Sequence, residues 1–530
     1  MHPLAKLDHR YLWHPFTQMR DWLKREPIVI VRGKGARLWD AQGREYLDAN
    51  SSIWTNLHGH NHPRLNTAIR RQLSEIAHSS ALGLANEPAS LLAEKLVAAA
   101  NPQTVTQASS LRVKGASPPL VHEARMLRQP EGWKPALRKV FFSDDGSTAM
   151  EVALKLAYEF ARRTGLSQKP KFLTLEGAYH GDTVGAVALG HIDLFHKAYA
   201  GLLFKTDQVM APYCYRCPFN RAQAERADAR DYRKCNWECV GQLERKFAVQ
   251  KKRGSPYAAF VFEPLMQGAA GMIPQPVGWL RRASEIARAH GALLIADEVM
   301  TGFGRTGVGS APASAPSLPR PLLFSPTHAT HVTPLTHLTH LTPAPLFACH
   351  HAGVQPDFMA LAKGLTGGYL PMAATLTTEA VFDAFLGEYD EFKTFFHGHS
   401  FTGNQLGAAA ALASLEMLQT TGSLRARRRL EQTLHDELQT LWRCPNIGDI
   451  RQVGLIAGVE LVRNWRTRKP FDLRERAGTR VGEALAKRGV LTRPIGNVVV
   501  LMPPYCTTPA EARRMVAALS EAIADFTKTL

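Results

Sequence analysis

Between about Asn61 and Phe395 the chain alternates helix-patterned stretches with short apolar runs: KVFFS from Lys139, KFLTL from Lys171, AAFVFEP from Ala258 and ALLIADE from Ala292. Short, continuous apolar runs suit strands buried on both faces, and their alternation with helices is the pattern of a doubly wound sheet. The expected fold class is therefore α/β, with a mainly parallel large domain over residues 61–395. Residues 1–60 carry strand-like pieces at 27–31 and 36–39 with a polar turn at 41–44, and are expected to join a smaller domain. From about Phe396 an Ala- and Leu-rich helix, the run IAGVELV from Ile456 and a closing helix from Pro509 read as an α+β small domain over 396–530.

Ligands of open α/β sheets bind beyond the carboxyl ends of the strands. The run ALLIA ends there on Asp297, and downstream the stretch LAKGLTGGYLP sets Lys363 in a turn of small residues. A Lys-Gly dipeptide by itself describes any solvated surface lysine. Together with a buried acid it points to a pyridine cofactor: the carboxylate keeps the ring nitrogen protonated, while the lysine bonds to an aldehyde and makes the ring an electron sink. The cofactor implied is pyridoxal 5′-phosphate. Behind Asp297 the run EVMTGFGRTG offers Arg305 as a fixed cation for a substrate.

The phosphate of such a cofactor needs an anion site. DDGS follows the strand KVFFS and opens the amphipathic helix STAMEVALKLAYEF, so Gly146 and Ser147 present N–H groups at a helix N-terminus. An ordinary N-cap has the same composition. In GAYHGDTVGA, Tyr179 follows a strand, where it is either core or a ring stacked on the cofactor, with His180 and Gly181 shaping the turn.

A chain of 530 residues, 45% of them hydrophobic, can bury a large core. Its net charge of +18 is dispersed, without a basic run or aromatic-interleaved stripe, so neither nucleic acid nor membrane is expected as a partner. No stretch of about 18 apolar residues suggests a membrane span, and the N-terminus lacks the apolar core of a secretory signal. A cytoplasmic enzyme is expected.

The runs DEVMTGFGRTG and FACHHAGVQPDFMALAKGLTGGYLP resemble the class III aminotransferases of fold-type I. YLWHPFTQM from Tyr11, SSIWTNLHGHNHP from Ser51, FSDDGSTAMEVALK from Phe142 and LTRPIGNVVVLMPPY from Leu491 are similar to the biotin-synthesis branch, which aminates 8-amino-7-oxononanoate to 7,8-diaminononanoate. The resemblance implies Lys363, Asp297 and Tyr179 as catalytic residues, with Gly146, Ser147 and Ser400 at the cofactor phosphate. Ser400, in HGHSFTGN, is implied to reach the partner's cofactor, so a homodimer with shared active sites is expected. Trp54, Arg305 and Arg493 are implied at the substrates, a small keto acid and an amino donor. Two rivals remain open: another class III ω-aminotransferase acting on a diamine or ω-amino acid, and a non-catalytic member disabled by an insertion.

Members of the branch that use S-adenosylmethionine carry aromatic or hydroxyl groups where this chain has Phe16, Ile53, His399-Ser400 and Ile495. This pattern resembles the lysine-using members, which slightly favours lysine as the donor. Two segments depart from the family: 103–133, rich in Ser, Pro and basic residues, and 308–345, with Thr-His repeats, which is expected to be irregular. Within the second, His328, His331, His337 and His340 form two His-x-x-His pairs without Cys or carboxylate partners, so no metal is expected. Cys214-x-x-Cys217 and Cys235-x-x-x-Cys239 have near zinc-ribbon spacing, and both structural zinc and free thiols stay open.

Overall fold

The computed structural model describes residues 1–101, 136–308 and 345–530. Residues 103–133 and 309–344, with the four histidines of the second departing segment, lie outside the described residues. At the centre stands a seven-stranded sheet in the order Leu137–Ser143, Ala373–Thr378, Phe358–Leu361, Leu293–Asp297, Tyr257–Phe262, Lys171–Leu175, Asp207–Val209. The inner strands pair in parallel. Ala373–Thr378 alone runs against its two neighbours. Every residue of Tyr257–Phe262 is buried, as expected for a strand covered on both faces.

The helices that cover this sheet follow from the sequence pattern. Gly146–Arg163 buries Ala149, Met150, Ala153, Leu156 and Ala157 along one stripe, and these pack with Ile295, Phe358 and Ala373 of the sheet. Trp279–Ala289 packs Leu280, Ala283 and Ala287 against Phe260 and Leu294 on strands of the same sheet.

Two smaller sheets flank it. Ile30–Lys34, Arg37–Asp40 and Glu45–Asp48 form an antiparallel meander, and Val490–Leu491 adds in parallel to the last of these. The N-terminal strands are thus completed by a strand from near the C-terminus. Ile447–Val453 pairs with Ile456–Asn464, whose other side takes Val498–Leu501. The closing helix Pro509–Thr527 packs Met515, Leu519 and Ile523 into the same core as Ile450, Val459 and Leu501. Among the described residues no helix is long and apolar enough to cross a membrane.

Candidate active site

Three neighbouring strands deliver three charged side chains to one cavity. Tyr257–Phe262 leads to Glu263, Leu293–Asp297 ends on Asp297, and Phe358–Leu361 leads to Lys363. The parallel register sets Asp297 beside Ala360, so the acid and the lysine leave the sheet at the same edge. The cavity has a volume of about 470 Å³, and Trp54, Gly146, Ser147 and Tyr179 line it together with Asp297 and Lys363.

Asp297 is buried and doubly held. Its Oδ1 accepts from Val299 N at 3.0 Å, and its Oδ2 lies 2.8 Å from His180 Nδ1. In that contact His180 Nδ1 is the donor, since a carboxylate accepts. Lys363 has φ of +43°, in the left-handed region that costs a non-glycine residue of order 1 kcal/mol. Burial lowers its pKa, opposed by the charges of Asp297 and Glu263. Among the described residues no hydrogen bond or ion pair engages its ammonium, which lies 4.8 Å from the centroid of the Trp54 ring.

Trp54 reaches the cavity on an unusual backbone. Ser51, Ser52, Ile53 and Trp54 all have positive φ, between 47° and 69°. A left-handed turn of four non-glycine residues costs on the order of 1–2 kcal/mol each, and it persists because Asp48 anchors it. The Asp48 carboxylate accepts from Ser52 N at 3.0 Å and Ser52 Oγ at 2.9 Å, and His60 Nε2 lies 2.9 Å away.

At the opposite wall, Asp145 caps the helix Gly146–Arg163 by accepting from Thr148 N at 2.9 Å. The first N–H groups of the helix, at Gly146 and Ser147, have no intrahelical acceptor. The 179–182 turn presses on this end. Asp182 N donates to Ser147 Oγ at 3.0 Å, and a Cβ on Gly181 would lie 2.0 Å from that oxygen. Tyr179 Oη donates to Asp182 Oδ2 at 2.7 Å.

Pyridoxal 5′-phosphate fits these residues: a cavity of suitable size holds a lysine amine without a partner among the described residues, an anchored carboxylate, and a glycine-bearing helix N-terminus for an anion. The structure brings together Lys363, Asp297, Tyr179, Gly146, Ser147 and Trp54, and leaves three expected residues outside the cavity lining. Arg305 is 1% exposed, and its guanidinium donates to Pro503 O at 2.8 Å and Asn56 O at 3.1 Å, so it braces the chain behind the cavity. Arg493 lies near the surface, donating to Phe16 O at 2.7 Å. Phe16 in turn meets the Tyr179 ring edge-on at 6.5 Å between centroids. Ser400 is exposed and does not line the cavity of its own chain.

Glu263 was not singled out from the sequence. Fully buried, it accepts from Gly268 N at 2.7 Å and Tyr179 N at 3.3 Å, and burial above all pushes its carboxyl up to about 7. Its position at the end of AAFVFEP, level with Asp297 on the next strand, was the available signal. Among the described residues no group of three or more His, Cys, Asp or Glu is arranged to hold a metal ion.

Comparison with known proteins gives a consistent set of relatives. The family model "Aminotransferase class-III" matches residues 19–319 and 344–523. The adenosylmethionine-8-amino-7-oxononanoate aminotransferase of Geobacter sulfurreducens is 42% identical over 520 residues, covering 98% of this chain and 97% of that protein. Its namesake in Aquifex aeolicus is 39% identical over 525 residues, with coverage of 99% and 98%. The crystal structure of the Methanocaldococcus jannaschii enzyme of that name superimposes with a TM-score of 0.78 at 34% identity, covering 98% of each chain. A PLP-bound amine transaminase from an uncultivated Pseudomonas species gives a TM-score of 0.77 at 30% identity, covering 97% of this chain and 98% of the other.

Proposed function

This chain belongs to the class III aminotransferases and is a pyridoxal 5′-phosphate-dependent enzyme, and we propose that it converts 8-amino-7-oxononanoate to 7,8-diaminononanoate in biotin synthesis. The observation that carries the proposal is the likeness, at 42% identity along 98% of the chain, to a protein named for that reaction. The pairing of Lys363 and Asp297 in one cavity supports the chemistry.

When bound, pyridoxal 5′-phosphate supplies an aldehyde that takes up an amino group and a cationic ring that draws electrons from the carbon losing its proton. In the proposed mechanism Lys363 would hold the aldehyde between turnovers. Freed by the donor's amine, Lys363 Nζ would be the group that accepts and returns a proton at the substrate carbon in each half of the reaction. Burial suits it to this work, because lowering its pKa favours the neutral amine that can accept a proton. Asp297 would accept from the ring nitrogen, with Val299 N and His180 fixing its orientation. Gly146 and Ser147 would hold the phosphate, and Tyr179 would pack on the ring. Trp54 walls the substrate side, and Arg493 binds the carboxylate of the keto acid. Ser400 serves the partner's site in a cytoplasmic homodimer.

For the donor we propose lysine. Phe16, Ile53 and Ile495 stand where a sulfonium nucleoside would need a fuller aromatic cradle, and Ile495 packs beside Trp54 in an otherwise Met- and aliphatic-rich cluster. The relatives' names carry adenosylmethionine. The test supplies purified enzyme with 8-amino-7-oxononanoate and either donor and measures the diamine formed. Diamine with lysine supports both parts. Diamine with S-adenosylmethionine alone rejects the donor, and none with either rejects the substrate.

A further inference from the structure

Away from the cavity, the segment preceding and opening the helix Glu238–Lys252 gathers Cys214, Cys217, Cys235 and Cys239 around one small pocket, with Arg233 and Trp237 among them. All four are free thiols. They are not arranged as a metal-ligand group, so their proximity bears first on thiol chemistry.

The four environments differ. Cys214 and Cys239 are buried, and burial pushes their thiols up to about 12 and about 11. Burial also raises Cys217, although the N–H groups of Phe219 and Asn220 act on its sulfur in the opposite sense. Cys235 is only partly buried and has a cationic donor: Arg233 Nη1 lies 3.1 Å from its Sγ. The guanidinium is steadied over Trp237, 4.1 Å from the ring centroid. Among the described residues this is the one cationic side chain within hydrogen-bond reach of any of the four sulfurs, and it sets Cys235 apart from the other three.

The loop geometry brings Cys235 toward Cys217. Arg221 N donates to Lys234 O at 2.9 Å, Lys234 N donates to Asn220 Oδ1 at 2.9 Å, and Asn220 N donates to Cys217 O at 3.1 Å. The residue before Cys235 is therefore tied to the turn that follows Cys217.

We propose that Cys235 is a peroxide-reactive thiol that closes a disulfide with Cys217. The Cys235 thiolate attacks one oxygen of hydrogen peroxide, the O–O bond breaks, and hydroxide leaves, giving a sulfenic acid. The Cys217 sulfur then attacks the Cys235 sulfur and expels water. Two thiols and one peroxide thus become one disulfide and two waters. The loop so closed also reaches the C-terminal sheet, with Arg226 Nη1 donating to Ile447 O at 2.6 Å and Arg230 Nη2 donating to Gln452 O at 2.8 Å. Oxidation at this site staples a structural contact and leaves the cavity untouched.

The test treats reduced holoenzyme with one equivalent of hydrogen peroxide, blocks remaining thiols, and maps the peptides by mass spectrometry without reduction. The expected result is loss of two of the seven thiols and a Cys217–Cys235 cross-link. Cys235→Ser should abolish the cross-link with turnover retained, and Cys217→Ser should leave Cys235 as a sulfenic acid that a cyclic diketone traps. Arg233→Met should slow oxidation roughly tenfold, with the cofactor's visible absorbance reporting that each variant is folded. Cross-linking of a different pair, oxidation no faster than in the urea-unfolded chain, or a chain isolated with zinc that shields these four thiols would overturn the proposal.

Discussion

His180 Nδ1 and Asp297 Oδ2 lie 2.8 Å apart with both side chains buried. The imidazole donates to one carboxylate oxygen of Asp297 while Val299 N donates to the other, so the two together fix the carboxylate's orientation. A hydrogen bond to a charged group contributes about 1.5–3 kcal/mol. His180→Leu should therefore lower kcat/KM by roughly 10- to 100-fold. Asp297→Asn, which removes the charge itself, should cost several powers of ten. If steady-state kinetics found the two variants equally impaired, His180 would have a role beyond holding Asp297.

Lys363→Ala should abolish turnover while the cofactor remains bound without a covalent link. Borohydride reduction followed by denaturation reads this directly, because the wild-type chain should retain the cofactor and the variant should release it. Normal turnover in the variant would remove Lys363 from the mechanism.

The raised carboxyl of Glu263 gives a prediction in pH. Its ordinary value is 4.5 and its folded value is about 7, so between these the folded protein holds a proton that the unfolded chain has released. Stability contributed by this group is thus present below pH 4.5 and lost as pH rises toward 7. Glu263→Gln cannot titrate, and in the apoenzyme it should gain on wild type by on the order of 2–3 kcal/mol across that window. Thermal unfolding of the pair at pH 5 and pH 8 checks this. Parallel Tm profiles would mean that Glu263 titrates normally in place.

The parallel strands and the order of the acid, the lysine and the phosphate turn were legible because each depends on local pattern: continuous apolar runs, and small residues where the backbone must come close. The partners of Arg305 were not legible: a fixed cation beside a glycine turn has the same sequence whether it faces a ligand or donates, as this one does, to two main-chain carbonyls. The left-handed turn at Ser51–Trp54 was equally hidden, since none of its residues is a glycine and its support comes from Asp48, outside the turn itself. The strand Ala373–Thr378, AATLTT, carries no local mark of its direction, and only pairing with both neighbours reveals that it runs antiparallel.

Removing residues 309–344 and joining Val308 to Pro345 should leave the cofactor site intact. The flanks are already tied to one another, with Gly304 N donating to Leu346 O at 2.9 Å, and the family match resumes at residue 344. Loop-closure entropy changes by only about 0.6 kcal/mol per doubling of length. Cofactor absorbance and Tm should match wild type within a few degrees. An insoluble or cofactor-free product would make the segment part of the fold.

Arg493 offers the sharpest separation between the two halves of the reaction. It donates to Phe16 O beside the Tyr179 side of the cavity and is itself exposed, so its guanidinium is open to an arriving carboxylate. A bidentate guanidinium–carboxylate pair is stronger than a neutral hydrogen bond and specific in direction. Arg493→Met should therefore raise KM for 8-amino-7-oxononanoate by about 10- to 100-fold, as expected for the loss of one charged pair. Because the keto acid is absent from the first half of the reaction, single-turnover transfer from donor to enzyme should keep its wild-type rate. Equal losses in both halves would instead mark Arg493 as a structural clamp on the Phe16 segment, and the keto acid's carboxylate would need another partner.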